Sequence, residues 1–180
     1  MEQKENQRVQ LTKRLLKEAL LRLLERKSLD EINVSELCRE AEINRATFYK
    51  HYAIPQDVLR DMERQIAEDL RRMAPTEQTP ETAVEYMKRI CDFLHAHRPV
   101  MQILLECRTD EEILKIVTET NCRYWSHFGM KNPHGLDADG VKLMVTFFSA
   151  GAYHMIRQWL LEDVKKTPRE LAEMMFRFVT

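Results

Sequence analysis

Glycine and proline are scarce in this chain, with four glycines and six prolines among 180 residues. The sequence also lacks long alternations of valine, isoleucine and threonine, the pattern that is typical of half-buried strands. Leucine, glutamate, lysine, arginine and methionine recur instead, and these residues favour helices. We therefore expect an all-α protein. With 44% hydrophobic residues, it can bury a core of ordinary size.

Cysteine pairs and long apolar runs are also missing. The four cysteines are far apart and never form C-x-x-C, so we expect buried, reduced thiols and neither a zinc site nor a disulfide framework. His95 and His97 are two residues apart and cannot share a helical face, so we assign no metal and no cofactor. No stretch approaches the roughly 18 apolar residues of a membrane span, and the polar N-terminus has no apolar signal segment. We expect a cytoplasmic protein without membrane contact.

Motifs of catalysis and excess charge are absent as well. The sequence contains no G-x-S-x-G, H-E-x-x-H, phosphate-binding loop or dinucleotide fingerprint, which argues against an enzyme. The formal net charge is −1, so the molecule as a whole has no excess of positive charge to attract nucleic acid. Any contact with DNA must come from a local patch.

Helical periodicity is present from end to end. Apolar residues spaced three and four apart predict a first helix from Arg8 to Lys27. Asn33 with Glu36 is typical of a capping box and predicts a second helix over 34–41, whose inner face is Leu37, Cys38 and Ala41. Asn44 is an equally good cap for a third helix over 45–52. The same patterns predict six further helices, about nine in all, over 55–73, 81–97, 99–107, 110–128, 137–162 and 168–179.

The second and third predicted helices are separated by only about three residues. Two short helices joined so tightly, packed on a longer helix, form a helix-turn-helix that presents its second helix outward. No acidic residue occurs between Ile43 and Gln56, as a surface facing phosphates requires. A second acid-free basic stretch lies at 6–17. It would either reach the flanking DNA backbone or the minor groove, or form an ordinary solvated helix face.

The run AEINRATFYKHY at 41–52 resembles the recognition helix of the TetR family of transcriptional regulators. That helix has a threonine, an aromatic pair and a histidine–aromatic ending, and five residues match in order: Thr47, Phe48, Tyr49, His51 and Tyr52. The segments before and after it resemble the family's second and fourth helices. The resemblance implies a helix-turn-helix domain over 1–54 and a helical ligand-sensing and dimerisation domain over 55–180.

The resemblance also implies two kinds of DNA contact, with Phe48 in the core. The residues that would touch phosphates are Ser35, Thr47, Tyr49 and His51. The residues that would approach base edges are Asn44, Arg45 and Lys50. Two positions depart from the family: Glu42 replaces a glycine in the turn, so we expect a turn without positive φ, and Pro55 replaces a lysine that would contact phosphate.

The C-terminal part resembles one of the family's shorter regulatory domains, which implies a ligand cavity among the middle helices and a dimer interface built from the last two. Candidate ligand-binding residues are Tyr86, Ile90, Phe93, His97, Met101, Trp125, Phe128 and Phe147. Candidate dimer residues are Phe148, Met155, Trp159, Leu171, Met175 and Phe178. Both sets have an alternative interpretation as ordinary monomer core.

These expectations describe a sequence-specific DNA-binding transcriptional regulator. We expect a homodimeric repressor that binds a near-palindromic operator in double-stranded DNA and is controlled by an unknown small-molecule effector. The alternative is a DNA-binding regulator whose C-terminal domain docks a protein partner. A cavity in that domain, as opposed to a solid core, would distinguish the two.

Overall fold

The computed structural model describes residues 2–73, 82–107, 114–115, 117–119, 121–122, 135–162 and 164–178. These residues contain no strand, which confirms the predicted all-α class. The helices with assigned bounds are α1 (Glu2–Leu24), α2 (Val34–Glu40), α3 (Arg45–Tyr49), α4 (Pro55–Arg72), α5 (Ala83–Ala96), α6 (Arg98–Cys107), α7 (Ala138–Leu161) and α8 (Pro168–Arg177). The described residues of 114–122 are also helical, while the rest of the helix predicted over 110–128 lies outside the described residues.

Residues 1–66 form one compact unit. The apolar stripe of α1 is buried, with Leu16 and Leu20 fully enclosed, and α1 packs on α2. Leu37, Cys38 and Ala41 are buried as predicted, because they lie on the inner face of α2.

Caps begin both short helices of this unit. The Asn44 side chain accepts a hydrogen bond from the amide of Ala46 at 2.8 Å, and the Asn33 side chain accepts one from the amide of Glu36 at 3.0 Å. The predicted capping box also requires the Asn33 amide to donate to the Glu36 carboxylate, and that part of the prediction was wrong. The Glu36 carboxylate instead binds Lys27 Nζ at 2.6 Å, because that cation lies within its reach at the end of α1.

The turn between α2 and α3 contradicts the expectation for Glu42. Glu42 has φ 55°, the only positive φ at a non-glycine among the described residues. The tight link requires a left-handed residue here, whether or not a glycine supplies it. The glutamate therefore carries the strain that glycine would avoid.

Residues 67–180 form the second unit. Within it α5 packs along α8, and α6 packs against α7. Arg98 Nε and Gln102 Nε2 on α6 donate to the Leu160 carbonyl at 3.0 and 2.8 Å, which binds α6 to the end of α7. Thr167 caps α8 in a capping box with Glu170, and Pro168 occupies the first turn.

The division between the units falls inside α4, after Ile66, whereas the sequence placed the boundary after residue 54. The first part of α4 belongs with the N-terminal unit because Val58, Leu59 and Met62 are buried there.

No helix in the described part of the chain is both long and apolar enough to cross a bilayer. Cys38 and Cys91 are buried free thiols, while Cys122 is exposed, contrary to the expectation of burial.

Candidate DNA-binding interface and ligand cavity

Helix α3 exposes polar side chains, while the buried aromatic residue Phe48 fixes it to the core. Phe48 is fully buried, and its ring lies 5.5 Å from that of Tyr49 in an edge-on arrangement. Tyr49 itself is 61% exposed, a large value for an aromatic residue. The other predicted DNA-contacting residues are also accessible: Ser35, Asn44, Arg45 and Lys50 are exposed, and Thr47 and His51 are half-buried. The structure therefore brings all seven into the helix-turn-helix: Ser35 on α2, Arg45, Thr47 and Tyr49 on α3, Asn44 and Lys50 as its caps, and His51 directly after it.

Two of these predicted contacts touch each other. The Arg45 guanidinium donates a hydrogen bond to the Ser35 hydroxyl, which connects the first residue of α3 to α2. Sequence reasoning assigned the two residues to different tasks and gave no sign that they are partners. The contact holds the guanidinium at one end of the exposed face.

The acid-free segment is followed by Asp57, whose carboxylate is already hydrogen-bonded within the protein. Asp57 accepts hydrogen bonds from the amides of Ala53 and Ile54 at 3.0 and 3.1 Å and pairs with Arg60 at 2.8 Å. The backbone hydrogen bonds from Ile54 and Ala53, with the help of Arg60, hold the pKa of Asp57 below its usual range. The carboxylate thereby stabilises the start of α4 by satisfying two backbone amides that precede the helix.

A cluster of charged side chains surrounds the buried Asp61 carboxylate beside the recognition helix, and sequence reasoning missed it. The Asp61 carboxylate on α4 lies 2.9 Å from Lys17 Nζ, 2.5 Å from an Arg64 guanidinium nitrogen and 3.7 Å from Lys13 Nζ. The Tyr52 hydroxyl donates a further hydrogen bond to Asp61 at 2.9 Å. Two cations of the basic stretch at 6–17 therefore face inward to a carboxylate. A charged residue on the buried face of an amphipathic helix was the available signal.

The ionisation of this cluster follows from its contacts. Burial opposes ionisation of Asp61, but hydrogen bonds from Lys17, Arg64 and Tyr52 outweigh it and hold the pKa well below the usual range. Burial and the hydrogen bond to Asp61 both raise the pKa of Tyr52. The carboxylate is thus ionised and the phenol neutral at any physiological pH.

A cavity of about 70 Å³ lies among the helices of the second unit. Tyr86, Ile90 and Met101, three of the predicted ligand-binding residues, line it. Tyr153, Ile156 and Leu160 of α7, which share one helical stripe, complete much of its apolar wall. Next to the wall, Asn121 Nδ2 donates to the Ser149 hydroxyl at 3.1 Å in a buried polar pair.

Phe93, His97 and Phe147, three further predicted ligand residues, do not line this cavity. Phe93 and His97 contact each other, with ring centroids 4.3 Å apart, and His97 Nδ1 lies 2.8 Å from the Phe93 carbonyl oxygen. Phe147 is 74% exposed on the outer face of α7, because it falls on the opposite side of the helix from Tyr153 and Ile156. Trp125 and Phe128 lie outside the described residues.

The predicted dimer residues divide by burial. Trp159, Leu171 and Met175 are already buried within the protomer, and the Trp159 indole donates to the Lys166 carbonyl at 2.8 Å. They pack the monomer core because they lie on the inner faces of α7 and α8. Phe148 and Met155 are half-buried, and Phe178 is 67% exposed.

The outer face of the last two helices is apolar at other positions. Leu143 is 70% exposed and lies one turn from Phe147 on α7. Phe178 adds a third large exposed side chain directly after α8.

Among the described residues, no three histidine, cysteine, aspartate or glutamate side chains are grouped as a metal site requires.

Known proteins resemble this chain in sequence and in fold. A TetR-family model described as "Transcriptional regulator C-terminal region" matches residues 81–180. A TetR transcriptional regulator from Streptococcus agalactiae 2603V has a similar structure, with a TM-score of 0.69, 18% sequence identity, and 99% of each chain covered. Comparison with curated protein sequences gives no match.

Two further solved structures share the fold. The dihydroxyacetone kinase operon activator DhaS has a TM-score of 0.68 and 13% identity over 93% of each chain. The transcriptional regulator FadR from Bacillus subtilis, solved in complex with stearoyl-CoA, has a TM-score of 0.60 and 16% identity over 92% of this chain and 96% of its own. Since the matched family model covers more than half of the sequence, this chain belongs to the TetR family of transcriptional regulators.

Proposed function

We propose that the protein is a sequence-specific DNA-binding regulator whose helix α3 enters the major groove. One observation carries the proposal: α3 exposes Asn44, Arg45, Tyr49 and Lys50 on a helix that Phe48 anchors in the core. An exposed face rich in donors and free of carboxylates matches the acceptor-rich edge of guanine and the phosphate backbone.

The proposal divides the exposed side chains into two tasks. Arg45, whose guanidinium has a fork of donors, reads a base edge, with Asn44 and Lys50 beside it. Tyr49, Thr47 and His51 bind phosphates, which fixes the register of α3 without reading sequence. Ser35 on α2 serves both tasks, as a phosphate contact and as the partner of Arg45.

Selection from a randomised pool of DNA duplexes tests this proposal. The purified full chain should enrich a near-palindrome with half-sites spaced by about one helical turn, because a two-fold dimer presents two copies of α3. Affinity should fall steeply with salt, since a chain of net charge −1 attracts DNA only through its local patches. Failure to enrich any sequence would contradict the proposal.

We further propose that the protein is a homodimer joined through the outer faces of α7 and α8. Leu143 and Phe147, one turn apart on α7, and Phe178 after α8 are large exposed hydrophobic side chains on the two elements for which the family resemblance implies an interface. Three large exposed hydrophobic side chains on neighbouring elements favour burial against a second copy. Phe148 and Met155 are half-buried and lie beside this surface on α7.

Control by a small effector is the third part of the proposal. The cavity wall is almost wholly apolar, so the effector is an apolar molecule or one with a large apolar part. FadR from Bacillus subtilis, with its bound stearoyl-CoA, is a neighbour that fits this class. A volume of about 70 Å³ is smaller than the roughly 150 Å³ that holds benzene in an engineered cavity, so entry requires the wall to widen. Met87 and Met101 are the flexible lining residues suited to that movement.

The small volume also favours the second candidate, in which the C-terminal domain docks a protein partner. A regulator that responds to a protein needs no large cavity. The similarity to the operon activator DhaS is a reminder that this fold serves activators as well as repressors. We nevertheless propose a repressor. Release of a repressor from DNA requires only a site for an effector, and the cavity is the candidate for that site.

Thermal unfolding with small apolar compounds distinguishes the two candidates. Benzene, short-chain alcohols and short fatty acids should raise the melting temperature of the wild type, because a ligand that binds only the folded state stabilises it. Ala152→Leu places extra carbons at the cavity wall and should abolish the rise, whereas Phe93→Ala, outside the wall, should retain it. If no compound shifts the wild type, the protein-docking candidate is favoured.

A further inference from the structure

The Asp61 cluster joins three parts of the DNA-binding unit through one carboxylate. Lys17 comes from α1, Arg64 from α4 itself, and the Tyr52 hydroxyl from the segment that directly follows α3. Asp61 is only 9% exposed, so its charge depends on these partners in place of water. A fully partnered buried carboxylate allows few alternative arrangements of the groups around it.

Tyr52 connects the Asp61 cluster to the recognition helix. Its ring centroid lies 5.9 Å from that of Phe48, the core anchor of α3, and 6.5 Å from that of His51. The amide of Tyr52 donates to the Phe48 carbonyl at 3.0 Å, which continues the helical turn beyond Tyr49. Tyr52 therefore contacts the turn that ends α3 and continues just beyond it. Tyr49 and His51, two residues proposed to bind phosphates, lie in that turn.

We propose that Asp61 is a positioning residue for DNA binding: by accepting the Tyr52 hydroxyl while bound to Lys17 and Arg64, it sets the orientation of α3 in the groove. Asp61 itself touches no DNA. The inference rests on the proposed DNA-binding function and goes beyond it, since it assigns a role in sequence discrimination to a buried carboxylate behind the interface.

A purely electrostatic role predicts the opposite result. Asp61 lies in an open cleft whose wall also contains Lys50, His51 and Arg60, so its negative charge offsets nearby cations. If charge alone mattered, Asp61→Asn would tighten DNA binding by removing that offset. If position matters, the same substitution weakens binding and blunts discrimination in spite of the added net positive charge.

The experiment compares four purified full-length proteins: the wild type, Asp61→Asn, Tyr52→Phe and the double variant. Tyr52→Phe retains the ring and the Lys17 and Arg64 contacts, so it keeps the proposal testable if Asp61→Asn does not fold. Asp69→Asn is the matched control, because it removes the same charge from the same helix at an exposed pair with Arg72. Each protein binds the duplex selected by the wild type and a scrambled duplex, in matched salt and well below its melting temperature.

We expect Asp61→Asn and Tyr52→Phe each to reduce the ratio of selected to scrambled affinity by about 3- to 10-fold, with the double variant no worse than the stronger single one. Asp69→Asn should leave the ratio unchanged. Tighter binding by Asp61→Asn, additive effects in the double variant, or an unchanged ratio with only a lower melting temperature would each overturn the inference. If the wild type selects no duplex, the proposed function fails and the inference falls with it; if the wild type selects one and the variants keep its ratio, the inference alone fails.

Discussion

The Arg45 guanidinium donates its hydrogen bond to the Ser35 hydroxyl, so the residue proposed to read a base is oriented from the neighbouring helix. Both residues are exposed at the same end of the helix-turn-helix. An arginine that is already directed loses less rotamer freedom when it meets a guanine. We therefore expect Ser35 to contribute to discrimination as well as to bind phosphate.

Ser35→Ala should lower the ratio of operator to scrambled affinity by about 2- to 10-fold, the range of one hydrogen bond of roughly 0.5–1.5 kcal/mol. Competition binding in matched salt measures this ratio. In an Arg45→Ala background the further loss should disappear, because the guanidinium that Ser35 orients is gone. An undiminished effect in that background would show that Ser35 acts on DNA alone.

Glu42 offers a test of the turn. Glu42→Gly should raise the free energy of unfolding by about 0.5–1 kcal/mol, because glycine adopts φ 55° without the strain that a Cβ brings. Glu42→Ala keeps the strain and removes only the carboxylate, so it is the matched control. Urea unfolding of both variants gives the comparison, and equal stabilities would argue against a strained turn.

The proposed dimer surface is tested at Phe147. Phe147→Glu should raise the dimer dissociation constant more than about tenfold, because it places a charge where apolar surface would be buried. The protomer should keep its fold, since Phe147 is 74% exposed. Sedimentation across a concentration series measures the equilibrium, and Gln65→Glu adds the same charge at an exposed position of α4 as a control. A variant that dimerises like the wild type would place the interface elsewhere.

The free energy of unfolding at acid pH tests the contribution of the Asp61 cluster. The pKa of an aspartate in an unfolded chain is about 3.9, and that of Asp61 in the folded protein is lower. Its contribution to stability is therefore complete above about pH 4 and is lost as the pH falls towards the folded pKa. The free energy of unfolding should decline less steeply below pH 4 in Asp61→Asn than in the wild type. Tyr52→Phe, which retains the Lys17 and Arg64 contacts, should stay close to the wild-type slope.

Local patterns were enough to predict much of the fold. Asn44 as a cap, Pro168 in a first turn and the buried face of α2 follow from hydrogen bonding and periodicity within a few residues of the chain. The exposure of the α3 face follows in the same way, because Phe48 and Tyr49 are adjacent and only one of them can face the core.

Long-range partners could not be predicted in this way. The pairs Lys17–Asp61 and Arg45–Ser35 join residues on different helices, and periodicity does not encode which cation meets which carboxylate. Trp159 and Phe147 show the same limit within one helix. Both are large and aromatic, but Trp159 is buried and stacks on the ring of His95 from α5, whereas Phe147 is exposed.

The central claim is that Arg45 on α3 reads a base edge while Tyr49 binds a phosphate. Competition binding of Arg45→Ala and Tyr49→Phe against selected and scrambled duplexes tests it most directly. Arg45→Ala should lose about 1–3 kcal/mol of discrimination at one symmetric pair of operator positions, whereas Tyr49→Phe should weaken binding to both duplexes by a similar factor. If Arg45→Ala keeps the wild-type ratio of selected to scrambled affinity, Arg45 does not read the operator and the account is contradicted.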